Sequence, residues 1–182
     1  MIQPDGLLTH ARALAGTGPG RPLDIDLRRG VSAAYYSVFH DLTDRAARQL
    51  IGSAPDSARN KIRRAWSHGE LTAASAIIID RATTLVVSPG APLSKEARAG
   101  GPLVDLAAAD AGLVEACRLF GELQAARHRA DYDHDARFDK LTLLTACEDA
   151  STARTLLASS SSSSREALFA LLTVRRSDFR ER

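Results

Sequence analysis

Two short stretches of this 182-residue chain concentrate the residue types that handle phosphates and protons. The first, Arg28 to His40, places Arg29, Tyr36 and His40 seven and eleven positions apart. On a helix they fall within about 20° of one another at roughly 100° per residue. A cation, a phenol and an imidazole thus share one stripe beside an apolar face. The second stretch, Gln124 to Asp135, carries Arg127, His128, Arg129, Asp131, Tyr132 and His134. An arginine can bind a phosphate and stabilise the doubly charged phosphorane of phosphodiester transfer. A histidine can exchange a proton with a ribose hydroxyl at neutral pH. Arg, His and Tyr at the end of a helix therefore suit phosphodiester chemistry without a metal.

Helical geometry separates these residues. Arg127 continues an inward stripe through Leu113, Cys117, Phe120 and Gln124, spaced by four, three, four and three. His128 lies about 20° from the Cys117 direction, whereas Arg129 follows Arg118, Glu122 and Ala125 on the outer face. A half-buried arginine needs a carboxylate, a phosphate or several carbonyls. Asp131 and Asp133 are close enough in sequence to supply that partner, so a structural ion pair competes with a ligand site. His134 falls where one helix ends and the next begins, with Asp133 or Asp135 expected to cap the latter.

The elements that must hold these residues read as helices. A first helix spans about Asp5 to Ala15 and stops at the Gly-Thr-Gly-Pro-Gly run of 16–20. A second runs from Asp24 or Asp26 to Ile51, with Val31, Ala34, Tyr35, Val38, Leu42, Ala46 and Leu50 on one apolar face. Ser57 to His68 predicts a third, basic outside and anchored by Trp66. Residues 69–101 are expected to form a loop-rich insertion, although Glu70 to Ile79 could extend a helix. The β-branched run Thr83 to Val87 favours extended structure, and Pro89, Gly90, Pro92, Gly100, Gly101 and Pro102 mark a loop. One long helix is expected from Leu103 to about Ala130, and another from Ala136 to Ala158, with Leu143, Cys147, Ala150, Ala153 and Leu157 facing in. The serines at 159–164 predict a joint before a last helix, Arg165 to Val174. The expectation is an all-α, up-and-down bundle of four to five main helices in a single domain, 1–182, with its core at about 24–158 and the C-terminal helix packing on it.

Composition agrees with a globular chain. It is 45% hydrophobic and 25% charged, and 24 Lys+Arg against 22 Asp+Glu leave a net charge of +2. That balance excludes a broad basic surface for tight non-specific nucleic-acid binding, but leaves a local site open. Cys117 and Cys147 stand alone in apolar helical stretches and read as buried reduced thiols rather than metal ligands. No metal or other cofactor is expected. The absence of a signal peptide or a 20-residue apolar span predicts a cytoplasmic protein without a membrane partner.

Ser32-Ala33-Ala34-Tyr35-Tyr36-Ser37-Val38-Phe39-His40, followed some ninety residues later by Arg127-His128-Arg129-Ala130-Asp131-Tyr132-Asp133, resembles the HEPN superfamily. The likeness is to the branch with an early S-x-A-Y-Y-x-x-F-H helix and a later R-x-x-A-D-Y motif, and it covers about residues 24–158. The resemblance implies a helical bundle that forms homodimers. Many such proteins are metal-independent endoribonucleases of the toxin or stress-response class, with an R-x4–6-H motif in a dimer cleft and products that carry a cyclic phosphate. Others are non-catalytic modules that bind a nucleotide or a protein. Two registers fit the motif, Arg127 to His134 and Arg129 to His134. The inward stripe and the polar His128 after Arg127 favour the first. The implied catalytic pair is Arg127 and His134, with His128, Arg129, Asp131, Tyr132, Arg29, Tyr36 and His40 supporting or binding substrate. Arg63 and Arg64 are further candidates for guiding RNA. The implied partners are an RNA or nucleotide and a nucleotidyltransferase-like antitoxin.

Overall fold

Hydrophobic residues recur at three- and four-residue steps along almost the whole chain, and the fold is all-α. A computed structural model describes residues 3–16, 20, 22–88, 91–92 and 94–173. Eight helices form among them: α1 (Pro4–Leu14), α2 (Asp24–Ile51), α3 (Asp56–Ala65), α4 (His68–Val87), α5 (Lys95–Ala108), α6 (Ala111–Tyr132), α7 (Lys140–Ser159) and α8 (Ser162–Thr173). None of the described helices is long and apolar enough to cross a membrane. The chain makes two compact units. One comprises residues 1–42 and 119–155, the other 43–118 and 156–182.

In the first unit, Leu27, Val31, Ala34, Tyr35 and Val38 of α2 are buried, as are Leu119, Phe120 and Leu123 of α6 and Leu143, Cys147, Ala150 and Ala153 of α7. The Tyr35 and Phe120 rings lie 5.5 Å apart. Burial raises the Tyr35 pKa far above that of a free phenol, so this ring is a neutral core residue. Gly30 lets α7 approach closely, since a Cβ there would meet Leu143 Cδ1 at 2.6 Å. Arg154 joins Asp5 at 2.6 Å and Asp41 at 3.7 Å, tying α7 to α1 and α2.

The second unit replaces the expected insertion with ordered helices. Most of 69–101 is helix rather than loop: α4 occupies 68–87 and α5 begins at Lys95, while Ser88, Ala91, Pro92 and Ser94 between them are non-helical, as expected. A capping box starts α4, with Ser67 Oγ accepting from Glu70 N–H and Glu70 accepting from Ser67 N–H. Leu71, Ala74, Ser75 and Ile78 then give a buried stripe at helical spacing. The β-branched tail continues α4, and in it Thr83 and Thr84 donate to the carbonyls four residues back. Pro89 and Gly90 lie outside the described residues. Gly100-Gly101-Pro102 marks a kink rather than a loop. Gly101 has φ +50°, and Pro102 opens the second half of α5.

The single helix expected from Leu103 to Ala130 is divided at Ala109-Asp110. Asp110 accepts from Leu113 N–H at the start of α6 and from Ser161 N–H before α8. The serine run is a joint, as expected, but only Ser160 and Ser161 are non-helical. Val174 lies outside the described residues. α8 packs on α4 and α5. Two smaller expectations also change. Leu50 is 45% exposed. Asp139, not Asp133 or Asp135, caps α7 by accepting from Thr142 N–H at 2.7 Å. Both cysteines are buried, and desolvation pushes the Cys117 thiol up to about 12 and Cys147 to about 11.

Candidate functional site

The first unit contains a groove of about 470 Å³ lined by Ile25, Arg28, Arg29, Ser32, Tyr36, Arg127, Ala130, Asp131 and Tyr132. It forms where one face of α2 meets the last turns of α6. Arg28, Ser32 and Tyr36 recur every fourth residue on α2, so each is one turn from the next. Tyr36 pairs with Arg127, Ser32 with Asp131, and Arg28 with the backbone just beyond. The partners run backwards along α6 as the α2 residues run forwards, so the two segments are antiparallel.

Arg127 is the centre of this network. Its Nη2 donates to Tyr36 Oη at 3.1 Å, and its Nε lies 2.7 Å from Asp131 Oδ2. The Nε contact has ion-pair distance without hydrogen-bond alignment. The Ser32 hydroxyl donates to the other Asp131 oxygen at 2.7 Å. The Arg127 guanidinium carbon lies 5.7 Å from the Tyr36 ring centre and 5.4 Å from that of Tyr132. Burial works against the Arg127 charge, but Asp131 and Tyr36 outweigh it and hold the group more firmly cationic than a free arginine. The groove thus offers a fixed cation between two phenol rings, with a carboxylate alongside. Such an arrangement can receive a phosphate if the anion competes with Asp131, and it can stack a planar ring on Tyr132, which is 60% exposed.

Of the residues proposed from sequence, Arg29, Tyr36, Arg127, Asp131 and Tyr132 meet in this groove. His40 stacks on Tyr36 with ring centres 6.0 Å apart, and His128 lies against Tyr132 at 4.9 Å. His128 is exposed, although Ala130 on the same turn of α6 is buried. Arg129 is exposed on the outer face. His134 lies on the exposed turn after α6, outside the groove lining. Arg63 is engaged by Asp44 and by Asn60, 2.6 Å away.

Sequence reasoning passed over Arg28 as a site residue. Its Nη1 donates to the carbonyls of Ala130 and Asp133 at 3.1 and 2.8 Å, and its Nη2 to that of Ala136 at 2.6 Å. The signal available was its place one turn before Ser32 and two before Tyr36. Among the described residues, no three His, Cys, Asp or Glu side chains gather as a metal site. Comparison of the chain with family models, with curated proteins and with solved structures returns no match.

Proposed function

We propose that this protein is a HEPN-type endoribonuclease that cleaves RNA without a metal, as a homodimer of the toxin or stress-response class. The reading rests on one observation above others. Arg127 is held half-buried and cationic between Tyr36 and Tyr132, seven residues before an exposed histidine. Arg127 binds the scissile phosphate, and Arg29 raises the positive potential of the groove. The ribose 2′-oxygen attacks phosphorus, the bond from phosphorus to the 5′-oxygen breaks, and a cyclic phosphate and a free 5′-hydroxyl result. His134 takes the 2′-hydroxyl proton or returns one to the leaving oxygen. A second copy of the chain completes the cleft, and a nucleotidyltransferase-like antitoxin is the expected protein partner.

A non-catalytic module that binds a nucleotide or a protein is the second reading, and Asp131 favours it. With Asp131 and Tyr36 on its guanidinium, Arg127 already has internal partners. The deciding assay is RNA cleavage by the purified protein in EDTA. The ribonuclease reading expects activity, with losses of about 10²–10³-fold in Arg127→Ala and about 10²–10⁴-fold in His134→Ala. Equal inertness of wild type and both variants, with nucleotide binding retained, would leave the binding module.

A further inference from the structure

We propose that Arg28 is the positioning residue for His134, an inference that rests on the ribonuclease reading for its consequence but on geometry for its substance. Two of the carbonyls that Arg28 grips, Asp133 and Ala136, flank His134 in sequence. The third, Ala130, belongs to the last turn of α6, where carbonyls lack partners within the helix and a cation is favoured. The guanidinium is itself held in place. Its Nε donates to Asp24 Oδ2 at 2.7 Å, and its carbon lies 5.1 Å from the ring centre of buried Phe138. Within the loop, Asp133 Oδ1 accepts from the N–H groups of Asp135 and Ala136 at 2.9 and 3.1 Å. The turn carrying His134 is therefore closed by Asp133 from inside and pinned by Arg28 from α2.

This arrangement gives α2 three successive duties. Tyr36 and Ser32 set Arg127 and Asp131, and Arg28, one turn earlier, sets the backbone on both sides of His134. Three carbonyls in different directions match the planar fork of a guanidinium and not the single ammonium of lysine. Arg28 has no need to touch substrate to matter. A loop displaced by about 1 Å costs on the order of 100-fold in rate when the displaced group reacts.

The test uses the full chain with Arg28→Lys and Arg28→Ala, and with Arg127→Ala as comparator. Amide hydrogen exchange at 133–138 and the His134 ring resonances by NMR report the loop directly. Both Arg28 variants are expected to exchange faster there and to shift His134, with the lysine variant guarding against a fold defect in the alanine one. Arg127→Ala is expected to leave the loop protected. In RNA cleavage, kcat is expected to fall by roughly 100-fold in Arg28→Ala with KM little changed. Unchanged loop exchange and an unmoved His134 resonance in both Arg28 variants would overturn the inference, as would a loosened loop with undiminished kcat. If the wild type cleaves no RNA, the ribonuclease reading fails, and the exchange and resonance data still decide whether Arg28 sets His134.

Discussion

The first unit holds a groove of about 470 Å³, and the second a larger cleft of about 550 Å³. The larger one is floored by Ala73, Ala74, Ile77 and Leu171 and edged by Glu70, Asp80 and Glu96, with no cation or aromatic ring among its described lining residues. The smaller one gathers three arginines and two tyrosines around one aspartate. A phosphate would be repelled by the first lining and attracted by the second. The contrast teaches that volume and chemistry are separate properties. In this chain cations and phenol rings line the groove where α6 ends, not the roomier cleft.

Each unit has a glycine that sits against a leucine, and this gives the largest expected effects. A Cβ at Gly30 would meet Leu143 at 2.6 Å, and one at Gly100 would clash with Val104 and meet Leu171 at 3.4 Å. Overpacking of this kind costs about 1–3 kcal/mol, and helix propensity returns up to about 1 kcal/mol. Gly30→Ala and Gly100→Ala are therefore expected to lower the melting temperature. Gly121→Ala, with open space around its Cβ, is expected to raise it. A Gly30→Ala variant as stable as Gly121→Ala would mean that α2 and α7 are less tightly apposed than a 2.6 Å approach to Leu143 requires.

A smaller effect addresses the charge contrast itself. Asp131→Asn removes the one carboxylate among the described residues that line the groove, whereas Glu96→Gln removes one from the cleft. Asp131→Asn is expected to tighten RNA binding about fivefold at low salt, on the order of a partly exposed ion pair, and the gain should shrink as salt rises. Glu96→Gln should leave binding unchanged. Equal effects from the two, measured by fluorescence anisotropy with a labelled oligonucleotide, would dissolve the distinction between the regions.

The same contrast explains what could be read from the chain before folding. Val31, Ala34, Tyr35, Val38 and Leu42 predicted the buried face of α2 because periodicity reports burial directly. The groove was half visible for the same reason: Arg29 with Tyr36, and Arg127 with Asp131, sit at helical spacings. Arg28 was harder to see: its place one turn before Ser32 was a signal, but its partners beyond α6 are carbonyls, and backbone atoms leave no trace in residue identity. Segment 69–101 misleads because β-branched residues, prolines and glycines report local propensity alone. Ser67, Glu70 and the stripe through Leu71, Ala74 and Ile78 outweighed them once the helix could bury a face. The break at Asp110 was equally hidden, since its second bond goes to Ser161, fifty-one residues away.

The smallest expected effect lies in the second unit and is seen only in acid. Asp110 is partly buried, which raises its pKa, but N–H donation from Ser161 and Leu113 outweighs burial and holds the carboxyl below the usual carboxylate value. Asp44 follows the same pattern, with burial outweighed by Arg48 and Arg63. A carboxyl with a depressed folded pKa contributes stability that is fully present above its unfolded value, about 3.9, and is lost as pH falls through the folded value. Asp110→Asn keeps a side chain able to cap α6 but removes the titrating charge. Urea midpoints measured from pH 6 to pH 2 should therefore show wild type ahead of Asp110→Asn above pH 4, with the two converging below it. A gap that stays constant across the range would mean that Asp110 acts through shape alone, and that the joint between α5 and α6 owes nothing to its charge.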